Sequence, residues 1–389
     1  MEKNRIFITA PKGMQPYLAA EVQSLGFPVI SESSSGVQTE GTLDDTMRLN
    51  LCLRTGHRVL YLLSEFSAIN PDELYRETLK LPWEDYIYEN GYISITSTVD
   101  TPAITDSRFA NLRCKDAIAD RFMKKFGHRP DSGPERNQAV LHVHWKDELC
   151  ALYIDTSGEP LSKRGYRKIP LKAPLQETLA SAIVMATGWN DSGNFVNPMC
   201  GSGTLAIEAA LIGLNKTPGT LRNNFSFMHL RGFNRTLWEE LRREASLRCK
   251  KNLQNMIIAS DISIHTVDAA RKNAMTAGVE HLIEFVACDF ADTPVPDGGG
   301  IVLLNPEYGE RMGQMDELAE TYRGIGNYFK QKCKGYRGYV FTGNPALAKK
   351  IGLRSRRKLR FYNSNIECRL LEFELYEGTK KPGRPQSQT

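Results

Sequence analysis

The chain has 389 residues, of which 41% are hydrophobic and 24% charged, with a net charge of +5; that is the profile of a globular protein, long enough for two or three domains. No apolar stretch approaches the ~20 residues of a membrane helix, and the opening "MEKNRIFITAPKG" has no signal-peptide core. The eight cysteines form no Cys-x-x-Cys pair, which speaks against a zinc ribbon or a secreted disulfide frame and for a reducing cytoplasm. In chain order, "RIFITA" reads as a strand and "MQPYLAAEVQSL" as a helix that Gly26 can cap. "DDTMRLNLCLRTGHRVLYLLSEF" reads as a helix running into a strand, and "PDELYRETLKL" as a further helix. "YISITSTVD" and "QAVLHVHWKDELCALYIDTS" are β-rich, with the amphipathic helix "SRFANLRCKDAIADRFMKKF" between them. This α+β half ends near Asp155. His142 and His144 share a face of one alternating strand, and no Cys or Asp accompanies them as a metal set would require.

"TSGEPLSKRGYRKIPLKAP" then reads as a connector rich in Gly, Pro and Lys/Arg. From Leu175 the texture changes to alternating helices and strands: "NFVNPMCGSGTLAIEAALIG" as strand, glycine turn and helix, then "MIIASD", "IEFVACDF" and "GGIVLLNPEY" as strands separated by helices. Such alternation predicts a mostly parallel sheet covered on both faces. "YRGYVFTGN" and "ECRLLEFELYEG" are late strands, and the tail from Lys380 is expected to be disordered. Two basic stretches, "SKRGYRKIPLK" and "AKKIGLRSRRKLR", contain no acidic residue; such stretches suit phosphate, and equally a solvated face.

The turn after Val196 has the layout of a nucleotide-type site. Gly201 and Gly203 remove side chains where a ligand must approach the backbone, and helix amides begin near Thr204. It lacks the Gly-Lys-Ser/Thr of a phosphate loop and is a poor dinucleotide fingerprint. Asp261 and Asp289 end the next two strands, where one carboxylate can accept from ribose hydroxyls and the other can face an adenine amino group. The gap from Gly203 to Asp261 far exceeds the usual ~20 residues, so "LNKTPGTLRNNFSFMHLRGFNRTLWEEL" is expected to be an insertion. The fourth strand stops at Asn305-Pro306. The Asn305 amide oxygen and the Pro306 carbonyl are two acceptors that can take both hydrogens of an exocyclic amine, and Tyr308 can lie against the same base. Acceptors there favour a pyramidal nitrogen with an exposed lone pair, so a methyl sulfonium held in line can be attacked by positioning and electrostatics, with no metal required.

"NPMCGSGTLAIEAA", "SDIS", "CDF" and "NPEYGER" resemble the S-adenosylmethionine-binding and catalytic motifs of THUMP-containing RNA methyltransferases, and most nearly the guanine-N2 methyltransferases of large-subunit ribosomal RNA (the RlmL type). "IFITAPKGMQPYLAAEVQSLGF" is similar to that family's ferredoxin-like opening, and "ALYIDTSGEPLSKRGYRKIPLKAPLQETLA" to its junction between THUMP and catalytic parts. The resemblance implies an α/β, Rossmann-like class I methyltransferase domain over 161–379 preceded by an α+β region: a ferredoxin-like segment over 1–55 and a THUMP RNA-binding domain over 56–160, with the tail at 380–389. It implies one methyltransferase unit, cytoplasmic, away from membranes, acting on the exocyclic N2 of a guanine in 23S ribosomal RNA. The cofactor S-adenosyl-L-methionine would be held by Asn197, Met199, Cys200, Gly201, Gly203, Asp261, Asp289 and Asn305. Catalysis would fall to Asn305, Pro306 and Tyr308, and structured RNA to Lys163, Arg164, Tyr166, Arg167 and Lys172. Two positions depart from the family: Asn197 stands where an aspartate is usual, and Glu307 where a second proline is usual. They motivate one alternative, a degenerate fold that only binds RNA as an assembly factor; a tRNA guanine is another.

Overall fold

The computed structural model describes residues 3–169, 175–309 and 315–376. Elements are numbered in chain order. The first stretch runs β1 (Asn4–Thr9), α1 (Gln15–Ser24), β2 (Ser31–Ser33), β3 (Gly36–Gly41), α2 (Asp45–Cys52), β4 (Arg58–Ser67), α3 (Pro71–Lys80), β5 (Tyr92–Asp100), α4 (Ser107–Phe126), β6 (Asp131–Ser132), β7 (Ala139–Lys146) and β8 (Leu149–Asp155). After the connector come α5 (Glu177–Thr187), β9 (Asn194–Pro198), α6 (Thr204–Gly213), α7 (Arg235–Arg248), β10 (Ile257–Asp261), α8 (Ile264–Ala277), β11 (Ile283–Ala287), β12 (Gly300–Leu304), α9 (Met315–Lys332), β13 (Tyr336–Thr342), α10 (Pro345–Lys350), β14 (Arg357–Asn363) and β15 (Ile366–Glu374). The chain forms two units: residues 1–168, 175–185 and 214–251 make the first, and residues 169–174, 186–213 and 252–389 the second.

In the first unit, eight strands form one sheet in the order β2-β3-β1-β4-β8-β7-β5-β6. Period-two burial drives it: Ile6 and Ile8 of β1 are fully buried, as are Val143 and Trp145 of β7. The antiparallel β4–β8 ladder joins the ferredoxin-like part to the strands that follow, with one register shift between Leu62 and Ser64. α4 starts on Asp106, whose side chain accepts from the Arg108 amide, and stops at Gly127 with φ +79°, a left-handed C-cap suited to glycine. The His142 ring sits 2.9 Å from the Thr96 hydroxyl, a neighbour within the sheet.

The expected insertion after α6 belongs to this first unit. Phe225, Phe227 and Trp238 form an aromatic cluster with centroids 5.1 to 5.5 Å apart. The Val140 amide donates to the Ser226 hydroxyl at 2.9 Å. Arg222 donates to the carbonyls of Ser157, Glu159 and Pro160 at 3.0–3.1 Å. At Gly219 a Cβ would lie 2.6 Å from the Leu51 backbone, so only glycine fits the crossing.

The same unit corrects part of the proposed RNA contact set. Arg164 is 2% exposed and Tyr166 1%. The Arg164 guanidinium donates to the Leu161 and Arg54 carbonyls and to the Ser181 hydroxyl. Arg167 donates to the Leu175 carbonyl at 2.6 Å and pairs with Glu177. A basic run in the sequence shows charge but not burial; Arg164 and Tyr166 serve the interior, and Arg167 is largely engaged there. Lys163 is exposed and paired with Glu159. Lys172 lies outside the described residues, as does the tail from Lys380.

The second unit is a seven-stranded sheet in the order β11-β10-β9-β12-β13-β15-β14. β9 through β13 pair in parallel, and β15 and β14 are antiparallel additions. β9 and the Ile301–Leu304 run of β12 are buried throughout, which is why they read as unbroken apolar runs. β9 is flanked by β10 on one side and β12 on the other. Chain direction across the sheet therefore switches at β9, the place where open α/β sheets bind ligands at the carboxyl ends of their strands.

Candidate active site

The loop from Pro198 to Gly203 leaves β9 at that switch point. Met199, Gly201 and Gly203 take φ of +56°, +54° and +80°, so the chain winds through three left-handed positions in five residues. Its amides are turned to fixed partners: Cys200 N–H donates to the Ser260 carbonyl at 2.8 Å and Gly201 N–H to an Asp261 carboxylate oxygen at 3.1 Å. The two glycines serve different ends. At Gly203 a Cβ would lie 2.9 Å from the Ala270 side chain, so glycine lets α8 close on the loop. At Gly201 an added Cβ would meet nothing within 4 Å; the loop is open on that side. Cys200 is buried, and burial pushes its thiol up, so it packs rather than reacts.

Asp261, at the end of β10, receives the Gly201 amide on one oxygen and the Ser263 amide at 3.2 Å on the other. Each oxygen retains a second lone pair for an outside donor. Ile262 beside it is 76% exposed, an apolar side chain presented at the carboxyl edge. Sequence reasoning missed it because a single isoleucine after an aspartate carries no pattern. Asp289 is exposed, and it caps the short turn Phe290–Asp292 by accepting from the Ala291 amide.

Among the described residues at the carboxyl edge of this sheet, Oδ1 of Asn197 and Oδ1 of Asn305 are buried without a partner. Asn197 is fully buried and its Nδ2 donates to the Leu303 carbonyl at 2.8 Å. An ionised aspartate could not make that bond. An unpaired buried acceptor costs about 1–3 kcal/mol, and both stand at the carboxyl end of the two central strands. Pro306 is buried and Glu307 exposed. The Tyr322 hydroxyl reaches the Glu307 carbonyl at 3.4 Å and the Thr342 hydroxyl at 2.7 Å, tying the turn to β13. Arg311, a candidate partner for Glu307, lies outside the described residues.

Tyr308 is half-buried. Its hydroxyl accepts from Asn363 Nδ2 at 2.9 Å, and its ring lies where a Cβ on Gly343 would come within 2.9 Å. Burial holds the phenol up at about 12, so it stays protonated. Asn363 and Gly343 position this ring, and Asn273 positions the glycine loop by donating to the Ser202 carbonyl at 3.2 Å. None was visible in the sequence, because each acts on a segment distant along the chain.

A doubly wound sheet with strands in this order, a glycine loop at its switch point and an Asn-Pro turn on the adjacent strand defines a methyltransferase of the Rossmann-like class. The chain belongs to the RMKL-like methyltransferases: the model of that methyltransferase domain matches residues 164–372. An RlmL ferredoxin-like domain matches residues 5–60 and a THUMP domain residues 68–155. The chain is 39% identical, over 99% of its length, to the ribosomal RNA large subunit methyltransferase K/L of Syntrophotalea carbinolica, and spans 56% of that protein. Other curated relatives of that name are matched over about half their length. A Synechocystis protein provisionally named RNA methyltransferase slr0064 is 34% identical, with 95% of this chain and 96% of that one covered. Among solved structures, SMU.472, provisionally titled a methyltransferase and complexed with SAH, superposes with a TM-score of 0.88 at 26% identity, covering 97% of this chain and all of that one. A Listeria monocytogenes chain provisionally titled an N6-adenine-specific DNA methylase superposes at 0.86 with 32% identity and 97% coverage of both.

Proposed function

We propose that this chain transfers a methyl group from S-adenosylmethionine to the exocyclic N2 of a guanine in 23S ribosomal RNA. The residues present suit that cofactor. The open side of Gly201, the unpaired Asn197 oxygen and the spare lone pairs of Asp261 are acceptors and clearance for an amine, a backbone approach and ribose hydroxyls. Exposed Ile262 offers an apolar flank for an adenine, with Asp289 beyond it. The cofactor supplies an electrophilic methyl on a cationic sulfur.

The observation that carries the reading is the unpaired, buried Oδ1 of Asn305 next to the Pro306 carbonyl. Together they accept both hydrogens of a base amine and leave its lone pair free. Tyr308, protonated and held by Asn363, is the ring against which a base taken out of its stack would lie. As the new bond forms, the amine becomes more acidic and its hydrogen bonds to Asn305 and Pro306 strengthen, so these acceptors act most in the transition state. The ferredoxin-like and THUMP matches, together with the names of the relatives, support ribosomal RNA over DNA or protein.

The test is methyl incorporation into deproteinised ribosomal RNA, followed by nucleoside digestion. N2-methylguanosine is expected; N6-methyladenosine would overturn the base assignment, because the same acceptor pair serves that amine. Asn305→Ala should lower the single-turnover rate on the order of 10²-fold with cofactor affinity nearly intact. A full rate in that variant would remove Asn305 from catalysis and leave the RNA-binding reading in its place.

A further inference from the structure

The second unit carries another concavity, apart from the glycine loop. It has a volume of 590 Å³ and is lined by Thr342, Gly343, Lys349, Arg354, Lys358 and Arg369 among others. Its floor is one face of the β13-β15-β14 ribbon. Directly paired residues of antiparallel strands share a face, and Thr342 pairs with Arg369, Arg369 with Arg360, and Lys358 with Leu371. α10 and the segment after it form the wall, and bring Lys349 and Arg354 to the rim.

The charge here is one-sided. Arg360 and Arg369 face each other across the strands, an arrangement that destabilises a sheet. The single carboxylate lining the groove, Glu367, is divided between them at 3.4 Å each. Lys349, Arg354 and Lys358 are all exposed and, among the described residues, have no carboxylate partner. By contrast Arg357, on the other face of β14, is paired with Glu372 at 2.5 Å. Within β14 the strand period therefore sorts the basic residues: Arg357 on one side is neutralised, and Lys358 on the other is left cationic. A solvated face needs no concavity and no opposed arginines.

The groove also touches the proposed chemistry. Thr342 lines it and shares a hydrogen bond with Tyr322, whose hydroxyl reaches Glu307. Gly343 lines it and lies against the Tyr308 ring. A base placed at Tyr308 would thus stand against a residue that also lines the groove. We propose that the groove seats the phosphates of the RNA strand flanking the target nucleotide, an inference that rests on the RNA methyltransferase reading above.

The experiment is filter binding of transcribed 23S ribosomal RNA by the full chain between 50 and 200 mM salt, beside a methyl-incorporation assay. The variants are Lys349→Gln/Arg354→Gln/Lys358→Gln and, alone, Glu367→Gln. Each lost phosphate contact removes about 0.7–0.9 from the slope of log affinity against log salt. The triple variant should therefore be shallower by about 2.1–2.7, and lose roughly 20- to 40-fold less affinity across that fourfold salt range. Glu367→Gln should bind more tightly than the natural chain, a sign that a merely structural role would not give. Lys358→Gln alone, with about a third of the effect expected from the triple variant, covers the case in which the triple variant does not fold. An unchanged slope in the folded variants, with the natural chain methylating the RNA, would overturn the groove and leave the methyltransferase reading standing. Failure of the natural chain to methylate any RNA would overturn that reading, and with it the role of the groove.

Discussion

At the scale of single residues, the site depends on atoms that have no partner of their own. Asn197 shows the balance. Its Nδ2 satisfies the Leu303 carbonyl while its Oδ1 is left over. Asn197→Asp would restore the residue usual in the family, yet remove the donor and place a charge in a fully buried position. The apo protein should lose about 1–3 kcal/mol in urea unfolding, and S-adenosylmethionine should recover part of it, since a cation nearby favours the carboxylate. An apo stability equal to that of the natural chain would show that the Leu303 bond contributes nothing. The candidates the sequence offers at strand ends and the turn after them, Gly201, Asp261 and Asn305, stand at one edge of the second sheet, where local pattern and chemistry coincide. Arg164 and Tyr166 had only charge and an aromatic ring to go on, and burial reversed their meaning.

Among the elements, alternation of helix and strand was legible wherever one face or both is buried. β9, β10, β11 and β12 stand where their apolar runs predict. The β2–β3 hairpin was not seen, because "SES" is exposed at every position and has no apolar face. β14 was not seen because its basic residues masked a strand whose Phe361 is fully buried. Residues 214–241 read as extra but not as part of the first unit, since the hydrogen bonds that hold them come from residues 65 to 86 positions away. Gly219→Val tests that attachment. With Leu51 backbone 2.6 Å from any Cβ, the variant should lose about 1–3 kcal/mol through overpacking while the glycine loop, which lies in the other unit, keeps its cofactor affinity. Equal loss of both would show that the two units do not unfold separately.

For the molecule as a whole, acidity should act mainly on the first unit. His57 and His142 are both pulled down to about 4, chiefly by desolvation, with Arg58 adding repulsion. Their folded-state values lie below the ordinary 6.5, so protonation favours the unfolded chain. The stability they contribute is fully present above pH ~6.5 and is lost as pH falls toward ~4. Thermal midpoints should be flat from pH 7 to 8 and decline below 6.5, and His57→Gln/His142→Gln should decline less. A parallel decline in the variant would place the acid sensitivity elsewhere. The cationic groove adds a second condition, because RNA affinity should weaken steeply with salt.

The attachment of residues 214–251 also sets an order on synthesis. The first unit draws on chain made on both sides of β9 and the glycine loop. A nascent chain that has reached Gly213 has all eight strands of the first sheet but lacks the Phe225, Phe227 and Trp238 cluster, whose segment is tied to β7. At ~5–20 residues per second, translation from Lys168 to Lys251 leaves the sheet without that segment for roughly 4–17 seconds, long enough for a chaperone to bind. Ribosome-stalled chains ending soon after Gly213 should be cut readily by protease, and chains with Lys251 clear of the exit tunnel should resist. Equal resistance at both lengths would mean that the sheet closes without its late-arriving segment.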